Sequence, residues 1–475
     1  MAEAFILQEG QAQRDALQDD DLNIKPEALP LRDKDLPPII REVVSNAPAN
    51  RKIASFVACL SPLCALATRI RLKYYYDSRP SALLLQVIIE APQSSGKQFA
   101  ADIEQLLLAD TLKAHDQEQR RQEQKYREKR RSRKANEKLE EEPKTTIRVI
   151  PATISKTVLV KRADFYERNL GDVLTFWMFA EELAQVTDAG KQGYSNLRTI
   201  MRTAYDFGSR FGMDFASDNS YSAIVDINIC SMFCTTPSAL DDYMDKKAIE
   251  GGNITRTILC QLDDQIGADG AIFKTYTPGQ EAAIRQTLDR IMADVYTTEG
   301  ALQPVTTLDM SWIDRDVRRW CVTKGKEALE SGSVALDVFR KRSSVSAFRV
   351  AALCYYLYLL DATPKPMAQK RARRLYLWMA DYILGMLMKR WGKKFEELQD
   401  KRNAELCDTT RPKLIDKCPK TFTREQLLCL MEELEVRSPI RVILSQWKAK
   451  GWIKVIDRFT YEKTSKELPT PHSQP

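Results

Sequence analysis

The feature that most constrains the fold is an apolar run that leads into a glycine-containing turn. Residues 82–91 read ALLLQVIIEA and residues 92–98 read PQSSGKQ. Unbroken aliphatic and β-branched residues predict a strand buried on both faces, as in a parallel sheet, and a helix is predicted to begin near Lys97. Similar runs alternate with helical segments up to residue 265, which predicts a wound, largely parallel sheet covered on both faces.

The other strands of this core are predicted from the same kind of run. They are expected at IRVIP, VLTFWMF, RFGMDFA, AIVDINICSMFCTT and TRTILCQL. Thr153 is predicted to begin one intervening helix, and residues 238–247 are predicted to form another. The predicted fold class is therefore α/β.

Outside this core, the spacing of apolar residues predicts helices, a linker and one small terminal domain. The predicted boundaries are a flexible lead-in at 1–35, an N-terminal helical lobe at 36–80, the core at 81–275 with a charged helical insertion at 110–144, a C-terminal helical domain at 276–401, a linker at 402–420, a winged helix at 421–464 and a tail at 465–475.

The charged insertion continues the helix that follows the glycine turn. Apolar residues disappear from it, and Lys, Arg, Glu and Gln take their place in QEQRRQEQKYREKRRSRK. One interpretation is a solvated helix or a disordered insertion, which cannot be packed in a core. The other is a basic arm that contacts nucleic-acid phosphates.

The terminal segment predicts a winged helix-turn-helix. Thr423 and Gln426 have the spacing of a capping box, a second helix is predicted after Pro439, and KGWIKVIDRFTYEKT reads as a β-hairpin. Winged helices bind DNA, but they also serve as protein-docking and packing modules. If this one binds DNA, the residues presented are Arg441, Gln446 and Lys448 of the second helix and Lys454 and Arg458 of the wing.

Composition and charge exclude several classes of function. The chain has two histidines and no Cys-x-x-C pair, so a histidine-containing zinc site or a Ser-His-Asp triad has almost no material. The net charge of +7 permits a nucleic-acid partner without requiring one. The N-terminus does not resemble a signal peptide, and the longest uncharged segment, 53–68, is too short to span a membrane. The sequence predicts a cytoplasmic protein without a membrane partner.

The turn at 92–98 partly matches a phosphate-binding loop. In the pattern G-x-x-x-x-G-K-[ST], backbone amides surround a phosphate, the Lys neutralises it and the hydroxyl binds Mg²⁺. Gly96 and Lys97 match, but Ala91 replaces the first Gly and Gln98 replaces the hydroxyl residue. A Gln amide is a poor substitute for a hydroxyl on Mg²⁺. The alternative is a strand-turn-helix that contains Gly-Lys by chance.

An acidic pair follows the next buried strand. VLTFWMF leads to Glu181 and Glu182, where a P-loop NTPase carries its second acidic motif. Glu181 would position the water shell of the metal and Glu182 would orient the attacking water. The alternative is that the two glutamates begin a helix near its positive dipole end.

The order of these motifs resembles a family of P-loop helicase-like proteins. The family is related to phage and plasmid primase-helicases, is encoded on bacterial integrative and mobile elements, and is known as a domain of unknown function. The segments that carry the resemblance are LLLQVIIEAPQSSGKQ, the charged insertion, PATISKTVLVKRADFYERNLGDVLTFWMFAEELAQV, RTAYDFG, CTTPSAL and GGNITRTILCQL. It covers roughly residues 35–400.

The resemblance implies a RecA-like ATPase core that assembles as a homo-oligomer, for example a ring, and acts on single-stranded or forked DNA. ATP is the implied cofactor, with Mg²⁺ doubtful at Gln98, and a primase or other replication protein is an implied partner. Thr236 would sense the γ-phosphate. Arg256 would be an arginine finger or a sensor, and Arg349 is either a family arginine or an ordinary surface charge. The nucleotide would contact Pro92, Gln93, Ser94, Ser95, Gly96, Lys97 and Gln98.

Two functions remain open at this point. One is an ATP-binding, helicase-like or primase-associated protein in the replication or mobilisation of a mobile element, with Glu182, Glu181 and Arg256 as catalytic residues. The other is a P-loop descendant that does not hydrolyse ATP and serves as a DNA-binding or assembly scaffold. The replacements at Ala91, Gln98 and Glu181 all fall on the metal and phosphate shell, so they bear on hydrolysis more than on binding.

Overall fold

The computed structural model describes residues 32–132, 141–184, 186–187, 197–214, 221–262, 270–406, 412–434, 436 and 439–464. Most of the predicted lead-in, the tail, residues 133–140 of the charged insertion and residues 407–411 of the linker lie outside these residues. The chain forms two compact units, the first comprising residues up to 321 and 341–386, and the second comprising 322–340 and 387–475. The predicted domain boundaries stay predictions.

A parallel sheet of five strands forms the centre of the first unit. Its strands are β3 (Gln86–Glu90), β4 (Val149–Pro151), β5 (Thr175–Ala180), β8 (Asn228–Thr235) and β9 (Thr257–Gln261). Their order across the sheet is β4-β5-β8-β3-β9, and every pairing is parallel. The α/β class and the predicted parallel sheet are therefore confirmed. Ile88 of β3 pairs with Phe233 on one side and Leu259 on the other.

The central strands are buried on both faces, as their unbroken apolar sequence predicts. All residues of β3 and β8 are buried. Helix α2 (Lys52–Leu66), which follows α1 (Pro38–Ser45), lies against β3, β5 and β8. It is buried all round from Ala54 to Leu66, because its sequence KIASFVACLSPLCAL has no polar face to leave in water.

The predicted strand at 82–91 is shorter than expected. Residues Ser81–Ala82 form β2, which pairs antiparallel with β1 (Ile70–Leu72), and β3 begins only at Gln86. Between them, side chains take up backbone carbonyl groups: Arg349 donates to Leu84 O at 2.9 Å and Ser61 donates to Leu85 O at 2.7 Å. The chain passes here from one sheet to the other.

Several other predicted boundaries also move. The run AIVDINICSMFCTT divides, because β7 (Ala223–Asp226) pairs antiparallel with β6 (Arg210–Met213) outside the main sheet. Ser155, rather than Thr153, caps the helix α5 (Lys156–Leu170), since its Oγ accepts from Val158 N at 3.3 Å. The helix predicted at 238–247 is two helices, α7 (Pro237–Tyr243) and α8 (Lys246–Glu250), because Asp245 caps a second start. Helix α6 (Leu197–Tyr205) precedes β6.

The charged helix is packed over its first half. Helix α3 (Gln98–Leu108) continues through a π-helical turn, Ala109–Lys113, into α4 (Ala114–Ser132). The buried Asp116 of α4 accepts from the backbone N–H of Arg148 at 2.7 Å, and Glu123 binds Arg162 of α5 at 3.0 Å. The insertion is therefore held to the core near Asp116 and Glu123, whereas its Arg- and Lys-rich end at 127–132 is exposed.

Long helices follow residue 278, as the helical spacing predicts. They are α9 (Pro278–Ala293), α10 (Asp314–Ser331), α11 (Val334–Leu360), α12 (Lys365–Leu387) and α13 (Lys393–Leu406), and the short β10 (Thr306–Leu308) pairs with β1. Among the described residues, α11 alone is long and apolar enough to cross a membrane, but 83% of its most apolar window is buried inside the protein. This burial is what a core helix shows.

The end of the chain belongs to the second unit. Its elements are α14 (Pro412–Lys417), β11 (Thr421–Thr423), α15 (Arg424–Glu433), α16 (Ile440–Ala449), β12 (Ile453–Val455) and β13 (Thr460–Lys463). The three strands form an antiparallel sheet in the order β11-β13-β12. The predicted capping box of Thr423 and Gln426 is present. Phe422, Leu427, Ile443, Trp447 and Ile453 belong to a common hydrophobic core.

Candidate nucleotide-binding site

Three loops meet at the carboxyl edge of the parallel sheet. The glycine turn follows β3, the acidic pair follows β5, and Thr236 follows β8, which lies between β3 and β5. Neighbouring strands are about 4.8 Å apart, so β3 and β5 are separated by roughly 10 Å. That separation leaves room between the turn and the acidic pair for a phosphate group and a water molecule, at the edge where open α/β sheets bind ligands.

A cavity of about 550 Å³ opens at this edge. The sequence-predicted residues that line it are Gln93, Ser94, Lys97, Gln98, Glu181, Glu182 and Thr236. The lining is completed by Ala101, Phe179, Leu183, Ala184, Cys234, Thr235 and Ala239. Three segments that lie far apart in the sequence, between residues 93 and 239, therefore line the same cavity. Pro92, Ser95 and Gly96 belong to the same turn but do not line the cavity.

The turn adopts a backbone that few residues accept. Gly96 has φ +71°, a left-handed conformation that a residue with a Cβ enters only with strain. Ser94 adopts φ +62° although it is not a glycine. The Ser95 side chain donates to Pro92 O, and Arg51 supports the turn from behind by donating to Ser95 O at 3.4 Å. The surrounding structure holds the turn in a defined shape.

The Lys97 side chain folds back over the turn. Its Nζ donates to Ala91 O at 3.1 Å and to Pro92 O at 3.0 Å. These carbonyl groups hold the ammonium but do not neutralise it. Lys97 also stands at the N-terminus of α3, where backbone N–H groups and the helix dipole favour an anion. An entering phosphate would therefore meet a positive charge and a positive helix end together.

The residue at the hydroxyl position faces along the helix. Gln98 Nε2 donates to Asp102 Oδ1 at 3.4 Å, one turn further on in α3. Mg²⁺ in phosphate-binding sites is held by one or two carboxylates, waters and the phosphates themselves. Among the described residues no group of three or more His, Cys, Asp and Glu side chains could hold a metal ion. The exposed Glu181 and Glu182 are the carboxylates of the cavity that face such an ion.

The charges around the cavity act on the pKa of the Cys234 thiol. Burial raises the pKa of this thiol to about 12, while the charge of Lys97 lowers it and the charge of Glu181 raises it. Cys234 belongs to β8, so the positive and the negative side of the cavity both lie within electrostatic reach of this strand. Thr236, at the end of β8, uses its Oγ1 to accept from Ala239 N at 3.4 Å and thereby caps α7.

The structure does not bring Arg256 to this cavity. Arg256 precedes β9, whose first residue Thr257 pairs with Gln86, whereas the glycine turn follows Glu90 at the other end of β3. Four strand residues separate the two ends by about 13 Å. Arg256 instead binds Asp206, with Nη2 at 2.7 Å from Oδ2. Arg256 is not among the described residues that line the cavity, so its catalytic role stays a prediction.

The residues predicted to contact DNA lie in the second unit. On α16, Ser445 donates to Asp400 of α13. Arg441 lies four residues before Ser445 and Lys448 lies three residues after it, so all three share one face of the helix. On the wing, Arg458 binds Glu330 at 2.8 Å, with both side chains more than half exposed. Gln446 is half-buried and Lys454 is exposed. Helix α13 therefore contacts this face of α16 at Ser445, while Arg441 and Lys448 on either side of that contact are exposed.

Two contributors to the site carry no recognisable sequence signal. Arg51 reaches the turn from 44 positions away, and Phe179 forms part of the cavity wall. Cys234 and Thr235 could have been found, because they are the last residues of a predicted strand beside the glycine turn. Arg349 is 4% exposed, so its interpretation as an ordinary surface charge is wrong.

No protein-family model matches this sequence, and no curated protein matches it significantly. Among solved structures, it is similar to one named "SCCmec type IV Cch - active helicase", with 10% sequence identity and a TM-score of 0.30. The match covers 85% of this chain and 66% of that chain, so this chain spans just under two thirds of the length of that protein. Such a TM-score is below what a common fold gives, and the functional conclusion has to come from the cavity itself.

Proposed function

We propose that the protein is a P-loop nucleotide-binding protein of the helicase-like class that acts on DNA. The observation that carries the proposal is the convergence of Lys97, the pair Glu181 and Glu182, and Thr236 on one cavity at the carboxyl edge of a parallel sheet. A chance Gly-Lys after a strand would have no reason to face an acidic pair across that edge. ATP is the proposed nucleotide.

Each group has a role that follows from its position. Lys97 and the N-terminus of α3 hold the β- and γ-phosphates, which would displace the Lys97 ammonium from the carbonyl groups of Ala91 and Pro92. Glu181 would hold the water shell of Mg²⁺, which supplies positive charge to the phosphates when bound, and Glu182 would orient the attacking water. Thr236, on the strand between them, contacts the γ-phosphate.

The binding step is tested with Lys97→Ala in a titration with a fluorescent ATP analogue. A charge-assisted hydrogen bond contributes about 1.5–3 kcal/mol, so the affinity should fall by roughly 10- to 150-fold. Lys161→Ala removes an exposed lysine of α5 and serves as the matched control. Equal affinities for wild type and Lys97→Ala would contradict the proposal.

The hydrolysis step is tested at Gln98 with single-stranded DNA and Mg²⁺ present. Gln98→Ser supplies the hydroxyl that Mg²⁺ prefers and should raise turnover, whereas Gln98→Ala supplies none and should not. Measurement of phosphate release for wild type and both variants separates the two functions. ATP binding without turnover in any of them favours the non-hydrolysing scaffold.

The scaffold is the second candidate, and two observations favour it. Gln98 places an amide that donates to Asp102 where the pattern has a hydroxyl, and Ser445, on the α16 face predicted to read DNA, donates to Asp400 of α13. The order helix, strand, two helices and hairpin at the end of the chain supports a winged helix. We propose that this module docks protein partners as well as DNA, in a homo-oligomer, for example a ring, that serves the replication of a mobile element.

A further inference from the structure

We propose that a second surface of the first unit binds single-stranded nucleic acid, at the amino edge of the sheet and away from the nucleotide cavity. We define this aromatic-basic surface by Lys73, Tyr75, Tyr76, Arg318 and Arg342. It lies beside the amino ends of β3 and β9, because Arg342 binds Asp206, which in turn binds Arg256 immediately before β9. The proposal adds a site to the function proposed above and does not depend on ATP.

Three consecutive tyrosines give the surface its aromatic part. The ring centroids of Tyr74, Tyr75 and Tyr76 lie 4.7–5.0 Å from one another. Tyr74 is buried and its hydroxyl lies 2.7 Å from Ser344 Oγ, so it anchors the group. Tyr76 is 63% exposed, which is a large apolar area to leave in water. The Tyr76 ring packs against the anchored Tyr74 and is open to solvent, so a planar group can stack on it.

Cationic side chains flank the two outer rings. Arg318 Cζ lies 5.1 Å from the centroid of the Tyr75 ring. Burial and the charge of Asp77 raise the pKa of Tyr76, and the charge of Arg342 lowers it, so Arg342 acts on the second ring electrostatically. Lys73 is exposed, and its charge acts on Asp77 between these groups. Arg79 is exposed as well.

Cations and carboxylates both lie around the rings. The carboxylates Asp77, Asp206 and Asp314 each have an arginine charge acting on them. Lys73 and Arg318 are exposed, and so is Arg79, three residues after Tyr76. The surface therefore attracts an anion, and it does so beside an exposed ring.

Single-stranded nucleic acid is the ligand that fits both parts. Its bases are free to stack on a ring and each is followed by a phosphate, whereas the bases of a duplex are already stacked on each other. An apolar protein surface would have to desolvate the exposed cations Arg318 and Lys73 without offering them an anionic group, which is costly. The pattern of rings with interleaved cations is the one that binds single strands without sequence preference.

The test measures fluorescence anisotropy of labelled dT20 and, in parallel, of U20, with the full chain and no nucleotide present. Base stacking contributes about 1–3 kcal/mol, so Tyr76→Ala should weaken binding by about 5- to 150-fold, whereas Tyr76→Phe keeps the ring and should bind as wild type does. Ile224→Ala is the matched control, since Ile224 is also 63% exposed in the same unit and should bind normally.

A second variant tests the electrostatic part. Arg318→Gln removes one phosphate contact and should lower the slope of log K against log salt concentration by about 0.7. Comparison of dT20 with U20 shows whether a 2′-hydroxyl matters, and duplex DNA of the same length should bind more weakly than the single strand.

Two results would overturn the proposal: failure of the wild type to bind either oligonucleotide, and unchanged oligonucleotide binding by Tyr76→Ala. In the second case, loss of self-association by Tyr76→Ala in sedimentation would assign the surface to a second copy of the chain. Lys97→Ala should bind dT20 as wild type does, so failure of the ATP site is distinguishable from failure of this one.

Discussion

At the carboxyl ends of β3, β5 and β8 the polar side chains line an open cavity, whereas at the amino ends of β3 and β9 they bind one another. Arg256 and Arg342 both bind Asp206, at 2.7 Å and 2.6 Å, and the Tyr205 ring lies within 4.2–6.0 Å of the guanidinium groups of Arg256, Arg342 and Arg349. Lys97, by contrast, is held by two neutral carbonyl groups.

Lys97 and Arg256 have similar sequence signals but play different roles in the structure. Both Lys97 and Arg256 follow glycines and border a buried strand, and both belong to segments that resemble motifs of one family. Of the two, Lys97 lines a cavity and binds no carboxylate among the residues that the structure describes. A cation that is already paired stabilises the fold, while a cation without a carboxylate beside a cavity favours an anionic ligand.

The largest expected effect is a loss of stability at the amino edge of the sheet. Asp206→Asn removes the carboxylate between Arg256 and Arg342 and leaves two partly buried cations side by side, so the free energy of unfolding should fall by about 2 kcal/mol. Urea denaturation measures it. Asp110→Asn is the control, because the Asp110–Arg285 pair is about 70% exposed on both sides and should change stability by less than about 0.5 kcal/mol. ATP affinity should not change in either variant, and a loss of affinity in Asp206→Asn would contradict the separation of the two edges.

A smaller effect concerns how the stability contributed by Asp206 depends on pH. Burial raises the pKa of Asp206, but the hydrogen bonds and charges of Arg256 and Arg342 outweigh it and hold the pKa below the ordinary value of 3.8. The folded protein therefore binds this proton less readily than the unfolded chain does. The contribution of Asp206 is fully present above about pH 4 and is lost as the pH falls through the lowered pKa.

This contribution is measured as the difference in unfolding free energy between wild type and Asp206→Asn at several pH values. The difference should narrow in acid by at most about 1.4 kcal/mol per pH unit, the limit for one proton. A difference that is constant from pH 6 to pH 3 would show that the pKa of Asp206 is not lowered in the folded protein.

The smallest effect has the opposite sign and belongs to the carboxyl edge. Ser94 adopts φ +62°, which costs a non-glycine residue about 1 kcal/mol or more. Ser94→Gly relieves that cost but adds freedom to the unfolded chain, so the net gain in stability should be below about 1 kcal/mol. Ser94→Ala keeps the strain and is the control. Nucleotide affinity measured beside the melting temperature shows whether the turn has to be held in shape to bind.

Much of the sheet and of the cavity could be predicted because both follow from local sequence. Buried parallel strands are unbroken apolar runs, and their carboxyl ends meet at one edge, so Lys97, Glu182 and Thr236 could be grouped before their positions were known. The division of AIVDINICSMFCTT could not be predicted in this way, since β7 and β8 are equally apolar and only the antiparallel partner of β7 separates them.

The amino edge could not be predicted, because its contacts join distant parts of the chain. Asp206 and Arg342 are 136 positions apart, and neither stands out from the other charged residues of its helix or turn. The same holds for the exposed Tyr76, because its segment falls in the helical lobe predicted at 36–80. The contact of Ser445 on α16 depends on Asp400 of α13, which the spacing of apolar residues places in a different predicted domain.

The π-helical turn at Ala109–Lys113 has a consequence for how the chain tolerates changes in length. Counted in steps of 100° per residue, Asp116 would lie about 180° around the helix from Leu107, yet both are buried. A π turn takes up one extra residue without turning the helix beyond it. Deletion of one residue within 109–113 should therefore leave Asp116 on its backbone partner Arg148, whereas one residue inserted between 114 and 116 should rotate it away.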